Sequence, residues 1–177
     1  LDGIDLRDAS LRDANLKGAN LTGALLTRAS LAGADLQEAD LTGAEMGRAS
    51  LAGARCSRAN LTNVNLFWGD LKRADLQDAT LRWSRLVRAS LIGADLTGAN
   101  LSQATMIEAD LRNANLTQAL LKSANMNGAD LSRATMDGAD FGLAMIRDSM
   151  WIASDMRGAN FQGASLLRSD LALAKFD

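Results

Sequence analysis

Residues 34–43 read Ala34-Asp35-Leu36-Gln37-Glu38-Ala39-Asp40-Leu41-Thr42-Gly43, two copies of one five-residue unit set end to end. Each unit runs Ala, a small polar residue, Leu and then two variable positions. Followed outward in both directions, the register holds without insertion or deletion through all 177 residues. In the series Leu1, Leu6, Leu11 to Phe176, Leu fills 25 of 36 sites. The others are Met46, Cys56, Met106, Met126, Met136, Phe141, Ile146, Trp151, Met156, Phe161 and Phe176, all apolar or, for Cys56, compatible with a core. Two residues ahead of these sites Ala fills 28 of 35, with Ile4, Val64, Gly69, Ser84, Ser149, Ser154 and Ser169 as the exceptions. A repeat this regular governs the fold and comes before any local assignment.

Five is the wrong period for a helix, where each step advances about 500° and carries successive Leu around the axis. On a long strand an odd period puts alternate Leu on opposite faces. A chain that turns a corner after every unit escapes both problems. Ala and Leu point inward across a short extended segment, the polar residue between them points out, and the next two residues turn. Gly is common at the second turn position, as at Gly23 and Gly43, where a left-handed backbone suits it.

Repeated corners wind the chain into stacked coils. The outward residues give the number of units per coil, because Thr22, Thr42 and Thr62 recur every 20 residues, as do Ser10, Ser30 and Ser50, and Phe67, Val87 and Ile107. Four pentapeptides per coil are predicted, giving about nine coils and a rod of roughly 43 Å at ordinary strand spacing.

This motif, A-(D/N/S)-L-x-x, resembles that of the pentapeptide repeat proteins, and the resemblance covers the whole chain. It implies an all-β fold, a right-handed quadrilateral β-helix (β-solenoid), with Leu as the central inward residue and Ala beside it. Handedness comes from the resemblance alone. Residues 1–177 are expected to form a single domain, part of a longer chain, since the sequence opens on Leu1 and both ends stop in full register.

Composition narrows the chemistry. The 19 Lys and Arg against 21 Asp and Glu leave a net charge of −2, without the basic footprint of a nucleic-acid binder. With no His, neither a Ser-His-Asp triad nor a His-ligated metal site can form. One Cys excludes an internal disulfide, and no apolar run approaches the roughly 18 residues of a spanning helix. No catalytic, cofactor-binding or metal-binding residue is assigned, no cofactor is expected, and the cytoplasm is the expected compartment. Cys56 falls at an inward site and is taken as core filler. Asp35, Asp75, Asp95 and Asp155 form one outward column, and Asp70, Asp110, Asp130 and Asp170 the next. Asn, Ser and Thr replace them freely, which favours hydrogen bonding to the adjoining turn.

The resemblance also implies a second role, because some family members imitate DNA and protect or inhibit type II topoisomerases. Arg28, Arg48, Arg88 and Arg168 lie in one column here and are expected to form a basic ladder opposing such a field.

Apolar residues at outward sites carry the functional expectation. Phe67, Trp68, Trp83, Val87 and Ile107 are expected to form one contiguous patch, with Ile92 at its margin, that binds a protein partner or a flanking segment. Leu143, Met145, Met150, Ile152, Leu167 and Leu173 form a second group, suited to being covered by a cap, by the rest of a longer chain or by a second copy of the chain in an end-to-end dimer. Of the remaining aromatics, Phe141, Trp151, Phe161 and Phe176 are assigned to the core.

Overall fold

The computed structural model describes all residues from Leu1 to Asp177 and contains neither a helix nor a continuous strand. Each unit supplies one two-residue turn and one bridge residue, the polar residue between Ala and Leu. Every bridge is parallel and joins a residue to the one 20 positions on, from Asp5–Leu25 to Asp155–Lys175. Stacked residues are therefore four pentapeptides apart, the interval predicted from the side-chain columns, and the whole chain is a β-helix.

The backbone accounts for its donors almost completely. In the unit at Leu21, the Leu21 N–H donates to Asp40 O at 2.7 Å and the Gly23 N–H to Thr42 O at 2.9 Å. The Ala24 N–H closes the turn onto Leu21 O at 3.0 Å, and the Glu45 N–H in the next coil donates back to Ala24 O at 2.9 Å. One donor per unit remains, on the first turn residue. At Thr22 it is taken by Asn20 Oδ1 at 3.0 Å. That short Asx turn explains the chemistry of the bridge position, because Asp or Asn there satisfies a group the ladder cannot reach. All eight Asp of the two acidic columns make this bond, for example Asp35 to the Gln37 N–H at 3.1 Å and Asp130 to the Ser132 N–H at 2.9 Å.

The second turn residue has positive φ in every unit, between 54° and 72°, whether it is one of 12 glycines or one of 23 other residues. Positive φ at this position alone is the signature of a type II turn. Glycine is thus the comfortable occupant rather than a required one. Neighbouring coils, hydrogen-bonded above and below, hold Trp68, Trp83, Leu143 and the rest in a conformation an isolated chain avoids.

Inside, the Leu-series sites from Leu21 to Trp151 are fully buried, with the Ala series packed beside them. Fully burying a Leu side chain is worth about 1.5–3 kcal/mol, and this series repeats that gain in every unit. Cys56 belongs to it, and burial pushes its thiol up to about 12, with Asp75 and Asp35 adding to the effect. Toward the C-terminus the core turns aromatic. Phe141 and Phe161 stack at 4.8 Å, and the Trp151 ring meets them edge-on at 5.6 and 5.8 Å. Phe176 departs from the expectation and is exposed. A repeat site is buried by coils on both sides, and Phe176 has one on one side only. For the same reason Phe161 is half-buried.

Candidate interaction surface

The Phe67 corner lies midway along the rod. The Arg48 N–H donates to Phe67 O at 2.8 Å, the Trp68 N–H to Val87 O at 3.0 Å and the Arg88 N–H to Ile107 O at 2.9 Å. These bonds set Phe67, Val87 and Ile107 one above another, with Gly47 below Phe67, so one edge of the Phe67 stack has no side chain. Beside them the second turn residues stack as Arg48, Trp68 and Arg88. Phe67 and Trp68 meet edge-on at 6.2 Å and are 37% and 51% exposed. The Arg88 guanidinium lies 5.6 Å from the Trp68 ring centroid.

The five residues expected as one patch divide in two. Phe67, Trp68, Val87 and Ile107 share the corner, with Val87 and Ile107 half-buried. Trp83 is exposed at the preceding corner of the coil, where its Nε1–H donates to Gln103 Oε1 at 3.0 Å and Arg82 stacks 4.3 Å from its ring. Its contacts lie with those residues, and its ring pairs with neither Phe67 nor Trp68. Ile92, half-buried, occupies the corner that follows Val87.

Periodic bridges, positive-φ corners and Leu–Ala burial are the physical content of a known repeat. A family model for pentapeptide repeats matches in 8 copies over residues 1–28, 29–66, 74–113, 114–149 and 152–177. The chain belongs to the pentapeptide repeat family. Among solved structures it is similar to HetL, a pentapeptide repeat protein involved in heterocyst differentiation regulation from the cyanobacterium Nostoc sp. strain PCC 7120. That match has 29% identity and a TM-score of 0.58, over 98% of this chain and 89% of that one. It is also similar to a trypsin-treated form of QnrB1, a plasmid-mediated fluoroquinolone resistance protein, at 22% identity and a TM-score of 0.80 over 99% of this chain and 90% of that one. At that identity the likeness is one of fold. No curated protein sequence matches this chain.

In this pentapeptide repeat chain the expected basic ladder is a mixed column. Arg28 grips Asp8 at 2.6 and 2.7 Å, Arg168 grips Asp148 at the same distances, and Arg88 Nε donates to Glu108 Oε2 at 2.6 Å. Each arginine's hydrogen bond holds its carboxylate partner below the usual range. Only Arg48 of that ladder stands without an ion pair. The acids Asp8, Glu108 and Asp148 stand in the same column as the arginines. Charge is nonetheless sorted by position, because all Lys and Arg except Arg55, Arg85 and Lys175 sit at corners. The bridge position selects acceptors for its Asx turn, and basic side chains collect where no such demand exists.

The C-terminal group is dispersed around the repeat rather than gathered on one face. Leu143, Met145, Met150, Leu167 and Leu173 are exposed and Ile152 is half-buried. Met145 and Met150 stand at bridge positions on adjacent faces, stacked on Asn125 and Asp130 respectively. Leu143 lies against Gly163 in the following coil. Leu120 was not anticipated and is exposed too, at a bridge position stacked between Asn100 and Asp140. Its signal was available, since Leu stands in a column otherwise made of Asn, Asp and Thr. No group of three His, Cys, Asp or Glu is placed to hold a metal ion, and no helix is long and apolar enough to cross a membrane.

Proposed function

We propose that the protein is a non-catalytic, rigid interaction module that binds another protein at the Phe67–Trp68 corner. One observation carries this reading: two large aromatic side chains stand exposed, edge to face, on a backbone hydrogen-bonded both above and below. Exposed aromatics beside arginine make effective binding anchors, and a prearranged surface loses little entropy when a partner seats on it. The right-handed quadrilateral form with about nine coils belongs to the same reading. Replacing Phe67 and Trp68 with Asp should abolish capture of partners from a native lysate while leaving the thermal melt unchanged. Identical capture by the wild type and this double variant would sink the proposal.

A second reading, an acidic rod that takes the place of DNA on a type II topoisomerase, has one feature in its favour. The bridge positions are acid-rich and hold only three bases. Against it, the bridge-position Asp carboxylates are committed to turn N–H groups, and bases outnumber acids at the corners. A supercoiling assay with titrated protein separates the readings: no inhibition or protection of gyrase at micromolar protein removes the second.

A further inference from the structure

We propose that the Phe67–Trp68 corner takes an acidic peptide segment of another protein, which lays an apolar side chain on the two rings and its carboxylates on Arg48 and Arg85. This rests on the interaction-module reading and specifies the chemistry of the partner. The charges around the corner set the sign of the partner. Three carboxylates lie close by, and all three are engaged within the protein. Glu45 Oε2 accepts from Asn65 Nδ2 at 2.7 Å, Asp70 Oδ1 accepts the Lys72 N–H at 3.2 Å with the Lys72 ammonium 3.8 Å away, and Glu108 is held by Arg88 at 2.6 Å. The bases are not balanced in return. The side chains of Arg48 and Arg85 are exposed and have neither a hydrogen-bond nor an ion-pair partner, whereas ten of the other 17 basic residues have carboxylate partners.

Their places bracket the rings. Arg48 lies in the coil below, its N–H on Phe67 O, in the same stack as Trp68. Arg85 bridges to Asn65 from the coil above, two residues along the chain from Val87. Two guanidinium groups free to pair thus flank an exposed aromatic pair, with Gly47 leaving an open step below Phe67. Carboxylates match guanidinium geometry closely, and complementary charge fixes register and suppresses wrong partners. A basic segment would meet Arg48, Arg85 and Arg88, with Glu45 alone of the three carboxylates outside an ion pair.

The test uses the full chain and two labelled nonapeptides, each with Leu-Phe-Leu at its centre, flanked on both sides by three Glu in one and three Lys in the other. Fluorescence anisotropy should show binding of the Glu peptide, weakened at least tenfold in the Arg48→Glu/Arg85→Glu variant, weakened as much by Trp68→Ala, and falling with added salt. Equal binding of the Lys peptide, unchanged affinity in the arginine variant, or no binding of the Glu peptide at millimolar concentration would each overturn the inference. Failure here together with loss of partner capture by the Phe67/Trp68 double variant would leave the interaction module standing and remove only its acidic partner.

Discussion

Trp151 Nε1–H donates to Ser149 Oγ at 2.7 Å inside the core. Ser149 in turn donates to Ile146 O at 2.8 Å and lies 2.8 Å from Ser169 Oγ in the next coil. The Ala series thus gives way to Ser where an indole in the Leu series needs an acceptor. An unpaired buried donor costs about 1–3 kcal/mol. Ser149→Ala restores the commonest residue of that series, yet it should lower stability by about that amount, read from urea or thermal unfolding. A variant as stable as the parent would show that the indole finds another acceptor.

A corner glycine offers a cleaner measurement of backbone strain. Gly23 has φ of +61°, and a Cβ there would meet nothing within 4 Å. Gly23→Ala therefore changes conformational preference without any collision, and should cost about 1 kcal/mol. The reverse change, Gln118→Gly at a corner with φ of +58°, relieves the same strain but gives the unfolded chain more freedom. Its net effect should be a gain in stability of well under 1 kcal/mol. Opposite signs in paired chemical melts are the expected outcome, and a neutral Gly23→Ala would contradict the type II assignment.

The core series was legible in the sequence because burial in a coil imposes a strict period, and no charged residue enters either the Leu or the Ala series. The bridge columns were legible for a related reason, since interchange of Asp with Asn pointed to a hydrogen bond rather than a charge. Phe176 was misplaced because a repeat position says which way a side chain points and nothing about what covers it. Trp83 was joined to Phe67 although its register sets it one corner away, because the repeat gives the corner a residue occupies and not the direction in which its long side chain leans. Ser149 appeared in sequence only as an exception, its reason lying in the ring two residues later.

The Asp155 carboxyl provides a pH prediction. Its side-chain hydrogen bond from Arg157, at 2.6 and 2.8 Å, brings it down from 3.8 to about 2, against desolvation and aided by the Arg157 N–H and the charges of Arg157 and Lys175. The folded value lies below the unfolded one, so this pair contributes fully above the ordinary carboxylate range, and its contribution is lost as pH falls through about 2. Both side chains reach solvent, so the effect on melting should be small. An NMR titration of the carboxyl carbon should find the low midpoint in the parent and an ordinary one in Arg157→Gln. An unmoved midpoint would assign the shift to another cause.

Cys56 should be inert while the chain is folded. Its thiol is fully buried and pushed up to about 12, leaving almost no thiolate at neutral pH. Iodoacetamide at pH 8 should leave the native protein unmodified and label the urea-unfolded chain completely. Rapid native labelling would place the sulfur outside the core.

The uniform 20-residue interval between bridged positions makes the chain a measuring device as well as a scaffold. Excising residues 81–100 as a block would bring the Phe67 corner one rung nearer the C-terminus and keep every later column on its own side. Excising five instead would carry every later residue to the adjoining corner, as turning one half of a threaded rod against the other would. Distance along the rod and direction around it are thus set by separate integers. Duplication or loss of short segments can move a binding surface relative to its neighbours while the interior repeat stays the same.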